Sequence, residues 1–487
     1  MESPLPPSSL EIIDLHAKRQ PDGTALVHLG NRIGWRKFNA DVHKMAEALE
    51  ELGIRPRQFV AVSHPNIYVH WLLLIACEAL GAASATFSVA EMQGLHALSA
   101  LLSRADWVLA EKPVAAAGQA RFHLLEKDWL QAVLARPSFR PDAHHPYPDG
   151  WETLVRVTRS SGTTDKPKNI PLKLKNQDYW ISHVIEAYGF TPVSRYLVTY
   201  PFTVNAVYSR AAACLRLGAT VVFEEPKAAL ASGEITHAWF LPGLLQRLIG
   251  DLPGDFPKLP ELHIMTGGGA VSVQLWDLAH EKLGGKVEVG YGANEVASGI
   301  CLMDREGVGA PFHYVELKIL DDSGQPVVEG SDGMIWLKTP GIAECYLGDE
   351  AATQKAFKDG WFMSGDIGKR LPGGKFRILG RKDELLNLGG IKLPPEGIEQ
   401  RLLDAVSGLQ DVGVCTAPLP SGVDGLGVGI VPKTGGTVDE IIKQMAAVLP
   451  TSFGKVRVLV CKALPRTENG KLRRLALKEM LMAGERK

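Results

Sequence analysis

The chain is poor in cysteine. Its 487 residues include six, Cys77, Cys214, Cys301, Cys345, Cys415 and Cys461, and no two form a CxxC pair. That scatter excludes a paired-thiolate zinc motif and a disulfide framework, and fits single thiols in a reducing cytoplasm. An excess of charge is missing too. Lys and Arg number 53 against 54 Asp and Glu, for a formal net charge of -1. Composition therefore gives no electrostatic reason to expect a nucleic-acid partner or an anionic membrane. The longest apolar run, Trp71 to Phe87, is interrupted by Glu78 and falls short of the ~20 residues that span a bilayer; it reads as a buried helix running into a strand. The start, MESPLPPSSLEIIDL, lacks the basic residues and apolar core of a secretory signal, so the expected location is cytoplasmic. Internal repeats, low-complexity tracts and the Walker A spacing G-x-x-x-x-G-K-[ST] are absent.

What is present describes an ordinary soluble enzyme-sized chain. Hydrophobic residues make up 45% and charged residues 22%, and the length exceeds one compact core, which predicts two or more domains. In the first third, Asp41 to Leu52 has helical spacing and ends at Gly53, Gln58 to Ser63 reads as a strand, and Trp71 to Leu80 reads as a helix before Gly81. Strands punctuated by helices predict an α/β fold with mostly parallel sheets. From Tyr314 the texture changes to short strands, VELKIL, GMIWLK and GKFRILG, separated by Gly- and Asp-containing turns; these predict a β-rich subdomain. Beyond Lys382 the pattern is a Gly-rich turn, helix Pro395 to Val406, strand Val412 to Thr416, helix Val438 to Leu449 and strand Lys455 to Val460. We therefore expect a large N-terminal domain over 1–382 and a small α+β domain over 383–487.

The chemistry concentrates in a few polar segments. In TRSSGTTDKPKNIP (Thr158 to Pro171), Ser160, Ser161, Thr163 and Thr164 crowd hydroxyls around Gly162, and Lys166 and Lys168 bracket Pro167. Hydroxyls and backbone N–H groups in a tight turn can line a polyphosphate, and a lysine can neutralise it. Alone, such a loop is more often a solvated surface turn. It is followed in order by Gly267-Gly268-Gly269 after the apolar LHIMT, by Tyr291-Gly292-Ala293-Asn294-Glu295, and by Trp361 to Asp366. Gly380-Arg381-Lys382-Asp383 and Pro465 to Lys471 complete the series. Each alone is weak; their order and spacing together are specific.

On these segments the chain resembles the ANL superfamily of adenylating enzymes: acyl-CoA synthetases, peptide-synthetase adenylation domains and luciferases. The resemblance runs from WRKFNADVHKMAEALEELGI to PRTENGKLRR. It implies ATP and Mg2+ as cosubstrates, a mobile C-terminal domain, activation of a carboxylic acid as acyl-AMP, and acyl transfer to a thiol. Ser160, Ser161, Gly162, Thr163, Thr164 and Lys168 match the family's phosphate loop, while Asp165 and Asn169 stand where glycines are usual. By the same resemblance Gly267, Gly268 and Gly269 form the adenine-side loop, and Tyr291 stacks on adenine with Gly292 beside it. Glu295, with Thr164, is the magnesium-binding group. Asn294 replaces a usual Thr beside it. Asp366 bonds the ribose hydroxyls, Arg381 supports them, and Asp383 is the hinge. Lys471 matches the catalytic lysine: a fixed cation stabilises the charge that builds as the carboxylate attacks the α-phosphate. Gly389 and Gly390 match the turn that enters the site for thiol transfer, where Asn387 takes the place of a frequent Lys.

The segment TYPFTVNAVYS (Thr199 to Ser209) resembles part of the acid pocket, with Val204, Asn205, Gly268 and Gly292 against the substrate. Amino-acid-activating relatives place an Asp near Asn205 to pair with the substrate ammonium, and a buried ammonium without a counter-charge is costly. An aryl or aliphatic acid is therefore expected, not an α-amino acid. The acceptor is CoA or the phosphopantetheine of a separate carrier protein. A degenerate nucleotide-binding protein without catalysis, suggested by Asp165, Asn169 and Asn294, is the third reading.

Overall fold

The computed structural model describes all residues except 1–3, 94–98, 115–118, 138, 140–145, 161–166, 270, 389–390, 394, 419–423, 434, 451–455, 467–471 and 484–487. Two sheets carry the N-terminal part. The first has six strands in the order Arg121–Leu124, Trp107–Ala110, Phe59–Ser63, Ala83–Thr86, Leu154–Arg159 and Asn169–Lys173. All its pairings are parallel except the last, a hairpin. Strand Phe59–Ser63 is buried along its whole length, and helix Ile67–Ala79 behind it is buried on almost every side. That double burial is why the sequence there is uniformly apolar, with no amphipathic period. Asn66 caps this helix by accepting from the Tyr68 and Val69 amides at 3.0 and 3.1 Å, a bond worth about 1 kcal/mol. Glu78, the one acid in the run, accepts from the Ser9 amide at 3.0 Å, the Ser9 hydroxyl at 2.7 Å and the Tyr147 hydroxyl at 2.9 Å. Those bonds offset the cost of burying its charge.

The second sheet has 14 strands. Its parallel centre runs Thr220–Phe223, Arg195–Leu197, His237–Phe240, His263–Gly267 and Lys286–Ala293. At Lys286–Ala293 the direction reverses: Ser298–Met303 pairs with it antiparallel. The strands expected as a separate β-rich unit continue this same sheet. The two-residue strand Val308–Gly309 joins Ser298–Met303 to Phe376–Arg381, and Trp361–Arg370, Asp332–Lys338 and Glu316–Leu320 follow, all antiparallel. Periodicity marks the strands but not their partners, so this continuity was not visible beforehand.

The predicted helices are present with shifted ends. The first extends back to Trp35–Leu52, and the later ones are Pro395–Ala405 and Val438–Val448. After a short 3-10 turn, Lys382–Glu384, a hairpin of Leu386–Leu388 and Ile391–Leu393 leads into a three-stranded sheet of Leu409–Pro418, Asp424–Pro432 and Arg457–Val460. Here Leu402, Val414, Leu426, Val428, Ile430 and Ile441 belong to a core cluster distinct from those of the preceding part. Strand Asp424–Pro432 was not anticipated, because Gly425, Gly427 and Gly429 lower its strand propensity. The reason for one of them is plain: a Cβ on Gly429 would lie 2.6 Å from Leu477 of helix Arg474–Ala483.

Candidate active site

The hairpin of Leu154–Arg159 and Asn169–Lys173 presents the Ser/Thr-rich loop. Its two ends are locked together: the Ser160 amide donates to the Lys168 carbonyl at 2.9 Å and the Lys168 amide to Ser160 Oγ at 3.2 Å. Ser161, Gly162, Thr163 and Thr164, with Asp165 and Lys166, lie outside the described residues. Arg159, the last residue of its strand, forks onto Glu91 at 2.6 and 3.0 Å, and its carbonyl accepts from Asn294 Nδ2 at 2.8 Å. Asn294 thus ties the base of the loop to the turn that carries Glu295.

Glu295 is 8% exposed. Burial pushes its carboxyl pKa up, opposed by a hydrogen bond from Tyr346 and by the charges of Lys168 and Arg381. The Tyr346 hydroxyl donates to Glu295 Oε1 at 3.0 Å, and Lys168 Nζ stands 4.7 Å from the centre of the Tyr346 ring. The structure therefore brings Ser160, Lys168, Asn294 and Glu295 together at one end of the hairpin.

A second group gathers where Lys286–Ala293 faces Trp361–Arg370. The Tyr291 hydroxyl donates to Asp366 Oδ2 at 2.5 Å, and burial followed by the Asp366 charge holds its pKa well above the phenolic range. Arg381 Nη1 is 3.6 Å from Asp366 Oδ1 and donates to the Ser364 carbonyl at 3.1 Å. Its Nε and Nη2 fork onto Asp383 at 2.9 and 3.3 Å. Burial works against the Arg381 charge, but the two carboxylates outweigh it and hold its pKa above the usual value. Gly365 makes this possible: its φ is +81°, and a Cβ there would lie 2.8 Å from Arg381 Nη2.

Gly267 ends strand His263–Gly267 opposite Gly290, and a Cβ on it would meet the Gly290 carbonyl at 2.6 Å. Gly268 and Gly269 continue from there, at the C-terminal edge of the parallel strands, where α/β sheets bind ligands. The sheet changes from parallel to antiparallel at Lys286–Ala293, the strand that carries Tyr291 and leads into Glu295.

Comparison with known proteins agrees. Residues 13–347 match the family described as AMP-binding enzyme. The chain belongs to the AMP-binding enzyme family. It is 28% identical over 482 residues to a feruloyl-CoA synthase of Amycolatopsis sp, covering 94% of this chain and 95% of that one. It is 26% identical over 504 residues to the indoleacetate–CoA ligase of Aromatoleum aromaticum, covering 97% and 98%. In fold it is similar to the o-succinylbenzoate CoA synthetase of Bacillus subtilis solved with its acyl-adenylate, at a TM-score of 0.81 and 22% identity over 96% of this chain and 97% of that one. This AMP-binding enzyme is an AMP-forming acid–thiol ligase: it uses ATP to activate a carboxylic acid as acyl-AMP and transfers the acyl group to a thiol.

Other expected site residues of this AMP-binding enzyme are placed elsewhere or not described. Lys471, Gly389 and Gly390 lie outside the described residues. Asn205 opens helix Asn205–Leu217 after Val204 and is 4% exposed. It faces a small cavity lined by Leu172, Gln177, Trp180, Ile181, Tyr208 and Ser209, which includes neither Gly268 nor Gly292. Its Oδ1 has no hydrogen-bond partner in the structure. Sequence reading missed Tyr346 and Ser364. The Ser364 hydroxyl accepts from the Asp366 amide at 3.0 Å and donates to the Ile335 carbonyl, also at 3.0 Å. Ser364 stands in the WFMSGD segment already singled out. Tyr346 follows a run, GIAEC, with no charge pattern to mark it. Among the described residues no helix is long and apolar enough to cross a membrane.

Proposed function

We propose that this ligase activates an aryl or medium aliphatic acid carrying an uncharged tail and delivers it to CoA. In this reading the Ser160–Lys168 loop cradles the ATP phosphates, with Thr164 inside it. Gly267 to Gly269, Tyr291 and Gly292 take the adenine, Asp366 takes the ribose hydroxyls, and Arg381 holds Asp366. Lys471 supplies the cation for adenylation. The observation that carries the reading is that Lys168, Glu295, Asp366 and Arg381, far apart in sequence, gather in one place: the charges of Lys168 and Arg381 both act on Glu295, and Arg381 reaches Asp366. That convergence argues against a degenerate, non-catalytic homologue.

Magnesium fits the residues present. Glu295 is a buried carboxylate whose ionised form is disfavoured by burial, and a hard cation prefers oxygen ligands and offsets that cost. Glu295 would hold the ion together with the Thr164 hydroxyl, and the ion would neutralise charge on the nucleotide's phosphates. Glu295 is kept available by Tyr346, and Lys168 faces the same space.

The acid is inferred from what the pocket segment lacks. YPFTVNAVYS has no carboxylate to pair with an ammonium. The cavity beside Asn205 has mostly apolar and aromatic walls, with Gln177 and Ser209 among them, and two unpaired amide oxygens, on Asn205 and Gln177, which suits a donor on an otherwise apolar acid. CoA is favoured as acceptor because the similar feruloyl and indoleacetate enzymes are named for it; a carrier-protein phosphopantetheine is the competing acceptor. The C-terminal part from Asp383 would rotate between half-reactions, since Lys471 and the Gly389-Gly390 turn serve the same site in succession. The test is pyrophosphate release over a panel of carboxylic acids, with and without CoA. A single-turnover burst that becomes continuous with CoA is expected. A burst that CoA leaves unchanged would redirect the search to a carrier protein.

A further inference from the structure

Lys168 and Glu295 carry opposite charges, and both are in contact with the same side chain. Tyr346 offers its ring face to Lys168 Nζ, 4.7 Å from the centroid, and its hydroxyl to Glu295 Oε1 at 3.0 Å. The two charges make no direct ion pair, although Glu295 is buried and Lys168 is near enough to favour its ionised form. In a site so poorly solvated, bare opposite charges attract strongly, so something must keep them apart.

Tyr346 is itself fixed on every side. It is 4% exposed. Its amide donates to Thr353 Oγ1 at 2.9 Å, and its ring meets Phe357 edge-on at 5.2 Å. Three residues before it, the Ala343 amide donates to the Glu295 carbonyl at 2.7 Å; one residue after it, the Leu347 amide donates to the Asn169 carbonyl, also at 2.7 Å. The short segment between is thus pinned to both partners, Glu295 on one side and the residue following Lys168 on the other. Glu344 adds ion pairs to Lys173 and Lys175 at 2.6 and 2.8 Å. A side chain held this firmly between two charges sets their separation.

We propose that Tyr346 is a positioning residue that keeps the Lys168 ammonium and the Glu295 carboxylate from neutralising each other, leaving the lysine for the nucleotide's phosphates and the carboxylate for a divalent cation. The proposal rests on the roles given above to Lys168 and Glu295. Its two contacts act differently. An ammonium over an aromatic face is held more weakly than one against a carboxylate, so phosphate can claim it. A hydroxyl donating to a carboxylate fixes the direction of the group without cancelling its charge.

The test separates ring from hydroxyl and reads binding, not turnover. ATP affinity is measured by calorimetry with and without Mg2+ for the wild type, Tyr346→Phe, Tyr346→Leu, Lys168→Met, Glu295→Gln and the double variant Tyr346→Leu/Glu295→Gln. Tyr346→Phe keeps the ring; its metal-free ATP affinity stays within about twofold, and the gain on adding Mg2+ falls about tenfold, the scale of one hydrogen bond to a charged group. Tyr346→Leu loses the spacer, so Lys168 collapses onto Glu295 and metal-free affinity falls about tenfold. Adding Glu295→Gln frees the lysine and restores most of that loss. A loss that persists in the double variant overturns the proposal, as does equal metal-free loss in Tyr346→Phe and Tyr346→Leu. If Tyr346→Leu does not fold, Tyr346→Phe decides alone: equal losses with and without Mg2+ sink it. Unchanged nucleotide binding in Lys168→Met and unchanged Mg2+ response in Glu295→Gln would instead remove the premise, showing that the site reading itself is wrong.

Discussion

The Tyr291 hydroxyl and the Asp366 carboxylate are joined across the sheet, 2.5 Å apart, although their strands are separated by three others in the sheet order. Tyr291→Phe removes that bond and leaves Asp366 held by Arg381 and by the Ser364 hydroxyl at its amide. We expect the KM for ATP to rise about tenfold with a smaller change in kcat, the scale of a bond to a charged acceptor. Steady-state kinetics at saturating acid and CoA checks this. A fall in kcat alone would mean that Tyr291 serves the chemistry and not nucleotide binding.

In the proposed reading, Lys471 serves adenylation and Asp383 the change to thiol transfer. Lys471→Ala should reduce adenylate formation by about 10²–10³, the usual cost of one electrostatic contact in a transition state, while thioester formation from supplied acyl-AMP is spared. Asp383→Pro should do the reverse. It fixes φ at the hinge and removes the fork to Arg381, so adenylate still forms but multiple turnover with CoA is lost. Equal damage to both half-reactions by either variant would break the assignment.

The candidate site residues stand out in the sequence because they carry unusual chemistry in compact motifs. Ser160, Lys168, Glu295 and Arg381 are polar side chains set at or next to the ends of strands, Asp366 lies within one beside Gly365, and that contrast survives in one dimension. Tyr346 was not readable, since its function depends on contacts with residues 51 and 178 positions away. Nothing local distinguishes it from a core tyrosine. The fold shows the same division. The uniformly apolar helix Ile67–Ala79 announces its own burial, whereas the joining of the later strands to the parallel sheet depends on the two-residue strand Val308–Gly309, too short for any periodic signal. Strand Asp424–Pro432 was hidden by glycines that serve helix packing.

In the C-terminal part, Arg474 draws three carboxylates together. It reaches Glu396 at 3.0 Å, Glu399 through Nη1 and Nη2, and Glu384 at 3.6 Å. Burial, together with the charges of Glu399 and Glu384, outweighs Arg474 and pushes the Glu396 carboxyl up to about 7. The folded state then holds a proton that the unfolded chain has released, so stability is greatest below the unfolded carboxyl pKa and falls as pH rises toward 7. The total is roughly 3–4 kcal/mol. Glu396→Gln cannot release that proton. Denaturant midpoints between pH 4.5 and 7.5 should therefore decline more in the wild type than in Glu396→Gln, and parallel curves would show that Glu396 stays ionised throughout.

In the proposed pocket the acid is read by Asn205. Its side chain is buried, its Oδ1 is unpaired, and its cavity is shared by Leu172, Trp180, Ile181 and Tyr208 with Ser209 and Gln177, whose Oε1 is also unpaired. An unpaired buried amide oxygen costs roughly 1–3 kcal/mol, a cost that a hydroxyl on the bound acid would relieve. Asn205→Ala should then raise the KM for a hydroxylated aryl acid by about tenfold and barely change that for its unsubstituted analogue. Asn205→Asp should penalise every apolar acid, because it sets an uncompensated charge in the same buried cavity. Pyrophosphate release by the wild type and both variants on benzoate-like, hydroxybenzoate-like, fatty and amino acids measures all of this at once. Strong wild-type activity on an α-amino acid alone would overturn the pocket reading. Identical acid profiles for the three proteins, with the variants differing only in thermal stability, would place Asn205 in a closed space between helices Leu174–Tyr188 and Asn205–Leu217. Its role would then be to hold those helices, and the acid would be selected by other residues.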